Sequence, residues 1–324
     1  MRPMTLIATQ TTHPSPAFDP GAAPTAVRFE GVTRRFGQVT ALDHVDLTIR
    51  AGETVALLGP NGAGKSTAIG LMLGLLRPTS GSVTVLGQSP RAAVAAGRIG
   101  SMLQDAGLPS NVRVGELVGF ARRLYPNPLE AGAIIKRAGL ADLADRPVDQ
   151  LSGGEAQRLR FAIAIAGDPD LVFLDEPTVA MDVETRRSFW ADMRRSAAEG
   201  RTILFATHYL EEADQVADRV VVLDHGRIVA DGSSRSLRSG VAGRTVQFDT
   251  KGADPARLGM LPGVTQVDIR GETVRLSTTD ADVTVRALFG TDLPIRDLEV
   301  TGADLEDAFI ALTSDPANAE EAPR

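Results

Sequence analysis

Gly59-Pro60-Asn61-Gly62-Ala63-Gly64-Lys65-Ser66 matches the pattern G-x-x-x-x-G-K-[ST], and this stretch decides how the rest of the chain is interpreted. It follows an apolar run at 54–58 and precedes a segment with helical spacing at 65–76. A buried strand, a glycine-rich loop and a helix are the context that the pattern requires. Because glycines let backbone amides converge and a helix N-terminus is partly positive, the stretch predicts a phosphate-binding loop with Lys65 as its cation.

A second motif, Leu171-Val172-Phe173-Leu174-Asp175-Glu176-Pro177, ends an apolar strand in two adjacent acids. Beside a phosphate loop, this arrangement predicts that Asp175 and the Ser66 hydroxyl hold Mg²⁺, which prefers oxygen ligands. Glu176 is then placed to accept a proton from the attacking water. The alternative is a solvated pair of acids at a strand end, without a catalytic role.

A third motif, Leu151-Ser152-Gly153-Gly154-Glu155-Ala156-Gln157-Arg158, has two compatible interpretations. Ser152 and Glu155 have the spacing of a capping box that opens a helix over 154–166. A helix start with a serine and two glycines is also an anion site. Since the first loop already has its own helix and lysine, a second such surface indicates that the nucleotide is sandwiched between two copies of the chain.

Continuous apolar runs predict an α/β fold. Four runs are continuously apolar, apart from an opening Thr in two of them, rather than alternating, as expected for strands buried on both faces of a mainly parallel sheet. These runs are 54–58, 171–174, 202–206 and 220–223. Strand patterns also fill 26–50 with a turn at 34–37, and the helical patterns at 114–124 and 129–138 predict a helical insert.

The C-terminal part changes character after a Gly/Ser/Arg-rich stretch at 231–240, which predicts a domain boundary. Period-2 alternation followed by helical spacing then predicts a small ferredoxin-like α+β domain. Its predicted strands are 245–249, 266–269, 273–277 and a segment near 295–300, and its predicted helices are 281–289 and 303–312.

Composition limits the possible classes of function. The chain has 324 residues, of which 43% are hydrophobic, with a formal net charge of −7 and no Cys. The acidic balance without a basic block argues against a nucleic-acid binder, and no run reaches the roughly 18–20 apolar residues of a membrane helix. Any membrane role therefore requires a partner that spans the bilayer.

The predicted organisation is a disordered tail (1–24), an α/β domain (25–235, with its helical insert at about 105–152), a small α+β domain (243–313) and a second tail (314–324).

The phosphate loop, the LSGG segment and the LDEP strand, in this order, resemble the ATP-binding-cassette (ABC) family over about 27–233. The resemblance implies a P-loop NTPase cassette that binds ATP and Mg²⁺. It implies that Phe36 stacks on adenine and that Gln104 contacts Mg²⁺ and water. It also implies that Asp182 crosses a dimer interface and that His208 senses the γ-phosphate. The nucleotide-binding residues would be Phe36, Gly59, Pro60, Asn61, Gly62, Ala63, Gly64, Lys65, Ser66, Thr67, Ser152, Gly153, Gly154 and Asp182, the catalytic ones Glu176, His208, Gln104 and Lys65, and the Mg²⁺ ligands Ser66, Gln104 and Asp175.

Several of these residues have a structural alternative. Gln104 could be a surface residue at a strand end, Phe36 a core aromatic, and His208 a structural histidine after a buried strand. Glu155 stands where the family usually has Gln, and we predict that its carboxylate caps the helix instead of facing a γ-phosphate.

The segment 207–214 and the small C-terminal domain resemble the bacterial branch of the family that exports drugs and antibiotics. That resemblance implies a cytoplasmic homodimer on the inner face of the membrane, bound to a separate multi-span permease and not to nucleic acid. Three alternatives stay open: an importer ATPase, a cassette ATPase acting on ribosomes or DNA, and a module that binds ATP without hydrolysing it. Glu176 and His208 argue against the last of these.

Overall fold

The computed structural model describes residues 24–103, 107–240, 244–302 and 305–313. Gln104, the predicted tail up to residue 23 and the tail at 314–324 lie outside the described residues. The strands are β1 (Thr25–Phe36), β2 (Val39–Arg50), β3 (Thr54–Leu58), β4 (Ser80–Val85), β5 (Ile99–Met102), β6 (Leu171–Asp175), β7 (Thr202–Ala206), β8 (Arg219–Asp224), β9 (Arg227–Gly232), β10 (Arg244–Asp249), β11 (Val264–Arg270), β12 (Thr273–Thr278) and β13 (Arg296–Gly302). The α-helices are α1 (Lys65–Met72), α2 (Pro90–Ala95), α3 (Val114–Arg122), α4 (Ala131–Arg137), α5 (Gly153–Ala164), α6 (Val183–Ala198), α7 (Leu210–Val216), α8 (Ser234–Gly240), α9 (Pro255–Gly259), α10 (Ala281–Phe289) and α11 (Leu305–Thr313). Among the helices of the described ranges, none combines the length and apolar character needed to cross a bilayer.

The central sheet has the strand order β5-β6-β7-β3-β8-β9, and every pair is parallel except β8 with β9. The four predicted apolar runs are β3, β6, β7 and β8, which confirms the α/β prediction. Successive residues of β3 contribute to different core clusters: Val55 and Leu57 to one, Ala56 and Leu58 to the other. The sheet is therefore buried on both faces, which explains why its strands are apolar without alternation.

An antiparallel sheet of order β2-β1-β4 packs beside the central sheet and shares a hydrophobic cluster with α1. The turn lies later in the chain than the predicted 34–37. Arg34 and Phe36 still pair with Leu42 and Val39, and the chain turns at Gly37 and Gln38. Gly37 adopts φ +59°, a conformation that glycine tolerates at no steric cost, so the reversal occurs there.

The helical insert is confirmed in position, although its helices are shorter than predicted. Helices α3 and α4 pack on α5, and their apolar residues belong to the cluster on one face of the central sheet. Helix α1 ends at Met72 rather than at residue 76. The amides of Leu75 and Leu76 both bond to the carbonyl oxygen of Gly70, and Gly74 has φ +69°, so the chain turns away there.

The C-terminal sheet has the order β11-β12-β10-β13, with every neighbouring pair antiparallel. Together with α9 and α10 it follows the order β-α-β-β-α-β, which confirms the predicted ferredoxin-like topology. The sheet has its own hydrophobic cluster, centred on Val246, Phe248 and Leu276. The stretch 231–240, where the sequence predicts a domain boundary, contains the end of β9 and all of α8.

The last helix, α11, packs against α7, α8 and β9 of the larger unit. Leu305 and Ala308 are buried, and Leu305, Phe309 and Leu312 join the cluster that lies on one face of the central sheet. The sequence predicts that this helix belongs to the small α+β domain at 243–313. Its apolar face instead covers the larger unit, because residues 305, 309 and 312 recur at helical spacing and present one stripe.

We predict that Leu305→Ala lowers the free energy of unfolding by about 2–4 kcal/mol, since a buried leucine is truncated inside a packed cluster. Ile310→Ala on the same helix is the matched control, because Ile310 is 54% exposed. Its effect should stay within about 0.5 kcal/mol. Urea unfolding of both variants measures the difference, and equal effects would contradict the packing of α11 on the larger unit.

Candidate active site

The phosphate loop lies between β3 and α1, at the carboxyl end of the central sheet. A Cβ on Gly59 would lie 2.3 Å from the carbonyl oxygen of Leu223, and one on Gly64 would lie 2.5 Å from that of Ala41. Neither position accepts a side chain without moving the backbone. Gly64 also precedes α1 with φ +108° and gives it no side-chain cap, so the positive end of the helix dipole is left for an anion.

Lys65 folds back over the loop that precedes it. Its Nζ donates to the carbonyl oxygens of Gly59 at 2.6 Å and Pro60 at 3.0 Å. Burial lowers the pKa of Lys65, while the charges of Glu176 and Asp175 act in the opposite direction. The lysine therefore lies within electrostatic reach of both acids of the second motif.

Three neighbouring strands bring Lys65, Glu176 and His208 together, whereas the fourth predicted catalytic residue, Gln104, lies outside the described residues. Asp175 ends β6, and His208 follows β7, which lies between β6 and β3. The pairing of β6 with β7 places the His208 Nδ1 atom 2.7 Å from Glu176 Oε2. The Glu176 side chain is only 11% exposed, whereas that of His208 is 60% exposed. A buried carboxylate held by an imidazole is a chemically competent proton acceptor next to a phosphate loop.

The backbone of Glu176 is held in an uncommon conformation. Its φ is +50°, which costs energy for a residue with a side chain. Its amide donates to the carbonyl oxygen of Ala206 at 2.9 Å, and its own carbonyl accepts from Gln157 Nε2 at 3.3 Å. Gln157 is buried on α5, and sequence reasoning assigned it no role. The available signal is that Gln157 belongs to the third motif, two residues after Glu155.

One cavity of about 560 Å³ joins the first two motifs. A hydroxyl and a carboxylate inside it, from Ser66 and Asp175, are the hard oxygen donors that suit Mg²⁺ beside phosphates. Ala41 also lines the cavity, which sequence reasoning did not anticipate. The lining residues are Ala41, Asn61, Gly62, Gly64, Lys65, Ser66, Thr67, Asp175, Glu176 and His208.

The Ser152–Gly154 segment is not among the described residues that line this cavity. Instead, a Cβ on Gly153 would lie 2.9 Å from the Cβ of Ala180, so the segment adjoins the loop before α6. The predicted capping box is present: Ser152 Oγ accepts from the Glu155 amide at 3.3 Å, and Glu155 Oε2 accepts from the Ser152 amide at 2.8 Å. The Ser152 amide is the main cause of the lowered pKa of Glu155.

Asp182 and Phe36 are both exposed at the ends of elements. Asp182 caps α6, with its carboxylate accepting from the amide of Thr185 at 2.8 Å and from its hydroxyl at 2.9 Å. These bonds lower the pKa of Asp182. Phe36, at the tip of the β1–β2 hairpin, is 44% exposed, and the Arg34 guanidinium lies over its ring at 4.3 Å. A core role for Phe36 is thus excluded.

Comparisons with known proteins agree with this geometry. The family model described as "ABC transporter" matches residues 42–179. The Nod factor export ATP-binding protein I of Sinorhizobium fredii is 37% identical over 297 residues, covering 89% of this chain and 86% of that protein. The daunorubicin resistance ATP-binding protein DrrA3 of Streptomyces coeruleorubidus is 35% identical over 315 residues, covering 93% of this chain and 99% of that protein.

A solved structure gives the same result for the fold. The dimeric post-hydrolysis state of the ATP-binding cassette MJ0796, bound to ADP and Pi, is 27% identical with a TM-score of 0.58. The match covers 64% of this chain and 98% of that one. Since relatives of more than 30% identity align over almost their whole length, this chain belongs to the ABC transporter family and is an ATP-binding subunit that hydrolyses ATP.

Proposed function

We propose that two copies of this chain close head to tail over two MgATP and drive a separate membrane permease that exports drugs, antibiotics or other small lipophilic molecules. The observation that carries the proposal is the separation of two anion-binding helix starts on one chain. The start of α1 lies in the cavity with Glu176, whereas the start of α5 at Ser152 is not among the described residues that line it. In a head-to-tail dimer, the second helix start would complete the partner's site.

Within each site, positioning and charge neutralisation supply most of the catalysis. The phosphate loop, the α1 dipole and Lys65 would hold the β- and γ-phosphates, with Lys65 exchanging its two carbonyl contacts for phosphate oxygens. Ser66 and Asp175 would hold Mg²⁺, which neutralises phosphate charge when bound. Gln104 remains a proposed third ligand on the strength of the resemblance alone.

Glu176 would accept the proton of the attacking water. Its carboxylate is buried and hydrogen-bonded to His208 at 2.7 Å, so its orientation is set before the substrate arrives. His208 would contact the γ-phosphate from the exposed side of the same pair. Loss of the γ-phosphate would remove the group that bridges the two chains, and the dimer would open, because ATP binds the closed state preferentially.

The export role rests on the relatives and on the resemblance of 207–214 to the exporter branch. Two relatives are named for Nod factor export and daunorubicin resistance, and both align over 86% or more of their length. By analogy we place this chain on the cytoplasmic face of the membrane, held there by its permease. Importer ATPases often carry a larger regulatory domain. The C-terminal sheet of this chain, β10–β13, is small, and this argues against the importer class.

Affinity purification of the tagged chain from native membranes, followed by mass spectrometry, tests this proposal. A stoichiometric multi-span membrane protein is expected, together with ATPase activity that rises when the pair is reconstituted. Ribosomal or DNA-associated partners in its place would favour the alternative cassette ATPase. Uptake of a substrate by the reconstituted pair, rather than export, would favour the importer. A chain carrying Lys65→Ala controls for activity from contaminants.

Phe36→Ala is predicted to raise the Kd for ATP by about 5- to 150-fold, since stacking of a base on an aromatic ring contributes about 1–3 kcal/mol. Phe36→Tyr keeps the ring and should bind like the wild type. Inorganic tripolyphosphate has no base, so its affinity should be the same for all three proteins. Calorimetric titration measures these constants, and an equal loss for both ligands would contradict adenine stacking.

A further inference from the structure

A buried carboxylate outside the proposed active site joins the segments that carry it. Glu212 on α7 is 5% exposed. Its Oε1 accepts from the hydroxyl of Thr178 at 2.5 Å, and its Oε2 accepts from the hydroxyl of Thr207 at 3.1 Å. Arg186 Nε faces the same carboxylate at 3.5 Å, a distance that makes an ion pair rather than a hydrogen bond.

The partners of Glu212 lie on three different segments. Thr178 is two residues after Glu176, and Thr207 immediately precedes His208. Arg186 lies in the first turns of α6, whose N-terminal cap is Asp182. One side chain therefore bridges the loop of the proposed base, the loop of the proposed γ-phosphate sensor and the helix that follows the proposed dimer contact.

Further contacts tighten the same cluster around His208. The amide of Tyr209 donates to Thr207 Oγ1 at 3.0 Å, so that hydroxyl can donate only toward Glu212. The Tyr209 ring lies 4.1 Å from that of His208, and the Arg186 guanidinium lies 4.8 Å from the Tyr209 centroid. The residues on either side of His208 are thus held by contacts with Thr207 and Arg186, and both of these side chains contact Glu212.

The chemistry of these partners requires a carboxylate at this position. Two hydroxyl donors and a guanidinium approach it, and a carboxylate has two acceptor oxygens and a matching negative charge. A glutamine amide has the same shape, but it would direct an NH₂ group toward one hydroxyl and lose the charge opposite Arg186. A buried charge without partners is costly, so Glu212 and its three partners form one interdependent unit.

We propose that Glu212 is a positioning residue for ATP hydrolysis, which sets the geometry of the Glu176–His208 pair by tying Thr178, Thr207 and Arg186 together. The proposal rests on the roles proposed above for Glu176 and His208. Glu212 contacts neither phosphate nor water in this scheme. Its loss should therefore reduce turnover and leave ATP binding intact.

The test compares Glu212→Gln with Glu211→Gln, the same change on the exposed neighbouring residue of α7. For Glu212→Gln we expect kcat for ATP hydrolysis to fall by about 10- to 100-fold, as small displacements of catalytic groups do, with the Kd for ATP within about twofold of wild type. Glu211→Gln should retain both values. Thermal unfolding identifies the temperature range in which all variants stay folded.

Thr178→Val supplies a second variant that removes one hydroxyl and keeps the side-chain shape, should Glu212→Gln fail to fold. It is expected to lower kcat as well, and the double variant with Glu212→Gln should lose little more than the stronger single variant. Unchanged kcat in a folded Glu212→Gln protein would overturn the proposal, and so would fully additive losses. Glu176→Gln, measured in parallel, distinguishes failure of this proposal from failure of the proposed function. If Glu176→Gln retains turnover, Glu176 is not the proton acceptor.

Discussion

Glu176→Gln is expected to lower kcat for ATP hydrolysis by about 10²- to 10⁴-fold while the Kd for ATP stays near the wild-type value. Glutamine fits the same space and accepts through its carbonyl oxygen, but it cannot take a proton from water. Its backbone keeps the contacts with Ala206 and Gln157 that hold this position at φ +50°. The substitution therefore abolishes proton transfer from water and leaves the ATP-binding site intact.

Assays of phosphate release and of fluorescent-nucleotide binding, made on the same preparation, measure kcat and the Kd for ATP separately. Glu211→Gln is the matched control, because it makes the same chemical change on an exposed residue and should leave kcat unchanged. A Glu176→Gln protein with normal turnover would show that another group accepts the proton. A protein that no longer binds ATP would place Glu176 in substrate binding, contrary to the buried side-chain contact with His208.

The parts of the site that depend on local patterns could be predicted from the sequence. A phosphate loop needs a strand, a set of glycines and a helix in immediate succession, and β3, Gly59–Gly64 and α1 provide them in one stretch. The four central strands are recognisable because burial on both faces removes polar residues from them. Once β6 and β7 are adjacent, the meeting of Glu176 and His208 follows from sheet geometry.

Other strands give weaker signals for a physical reason. β4 (Ser80–Val85) and β9 (Arg227–Gly232) are edge strands with partly exposed, mixed sequences, and β5 is four residues long. In β4, β5 and β9, neither a continuous apolar run nor period-2 alternation distinguishes the strand from a loop in the sequence. The ferredoxin-like unit was predictable because one face of its sheet is covered and alternation persists along β10 and β12.

Contacts between distant segments could not be predicted in this way. Helix α11 has an apolar stripe, but nothing in that stripe says which surface it covers. Likewise Glu212 looks like any acid near a helix start, and only its burial against Thr178 and Arg186 distinguishes it from Glu211. Such roles are tertiary, because they depend on which loops the topology brings together.

Ser152→Asp is expected to reduce ATP hydrolysis and ATP-driven dimerisation by about 100-fold or more, with little change in the ATP affinity of the single chain. Aspartate is as good a helix cap as serine, so the start of α5 should stay intact. In the proposed dimer, however, its carboxylate would face the γ-phosphate bound to the partner chain. Juxtaposed like charges at an interface cost several kcal/mol, which accounts for the expected size of the effect.

Ser152→Asn is the matched control for this experiment. Asparagine has nearly the same shape as aspartate and also caps helices well, but it carries no charge. Sedimentation with ATP, in chains that also carry Glu176→Gln, would report dimer formation without turnover. Ser152 is not among the described residues lining the cavity of its own chain, so the proposed composite site predicts that a charge there acts on ATP bound to the partner chain. If Ser152→Asp dimerised normally, the composite site would be wrong; if both variants failed alike, the defect would lie in α5 and not in charge.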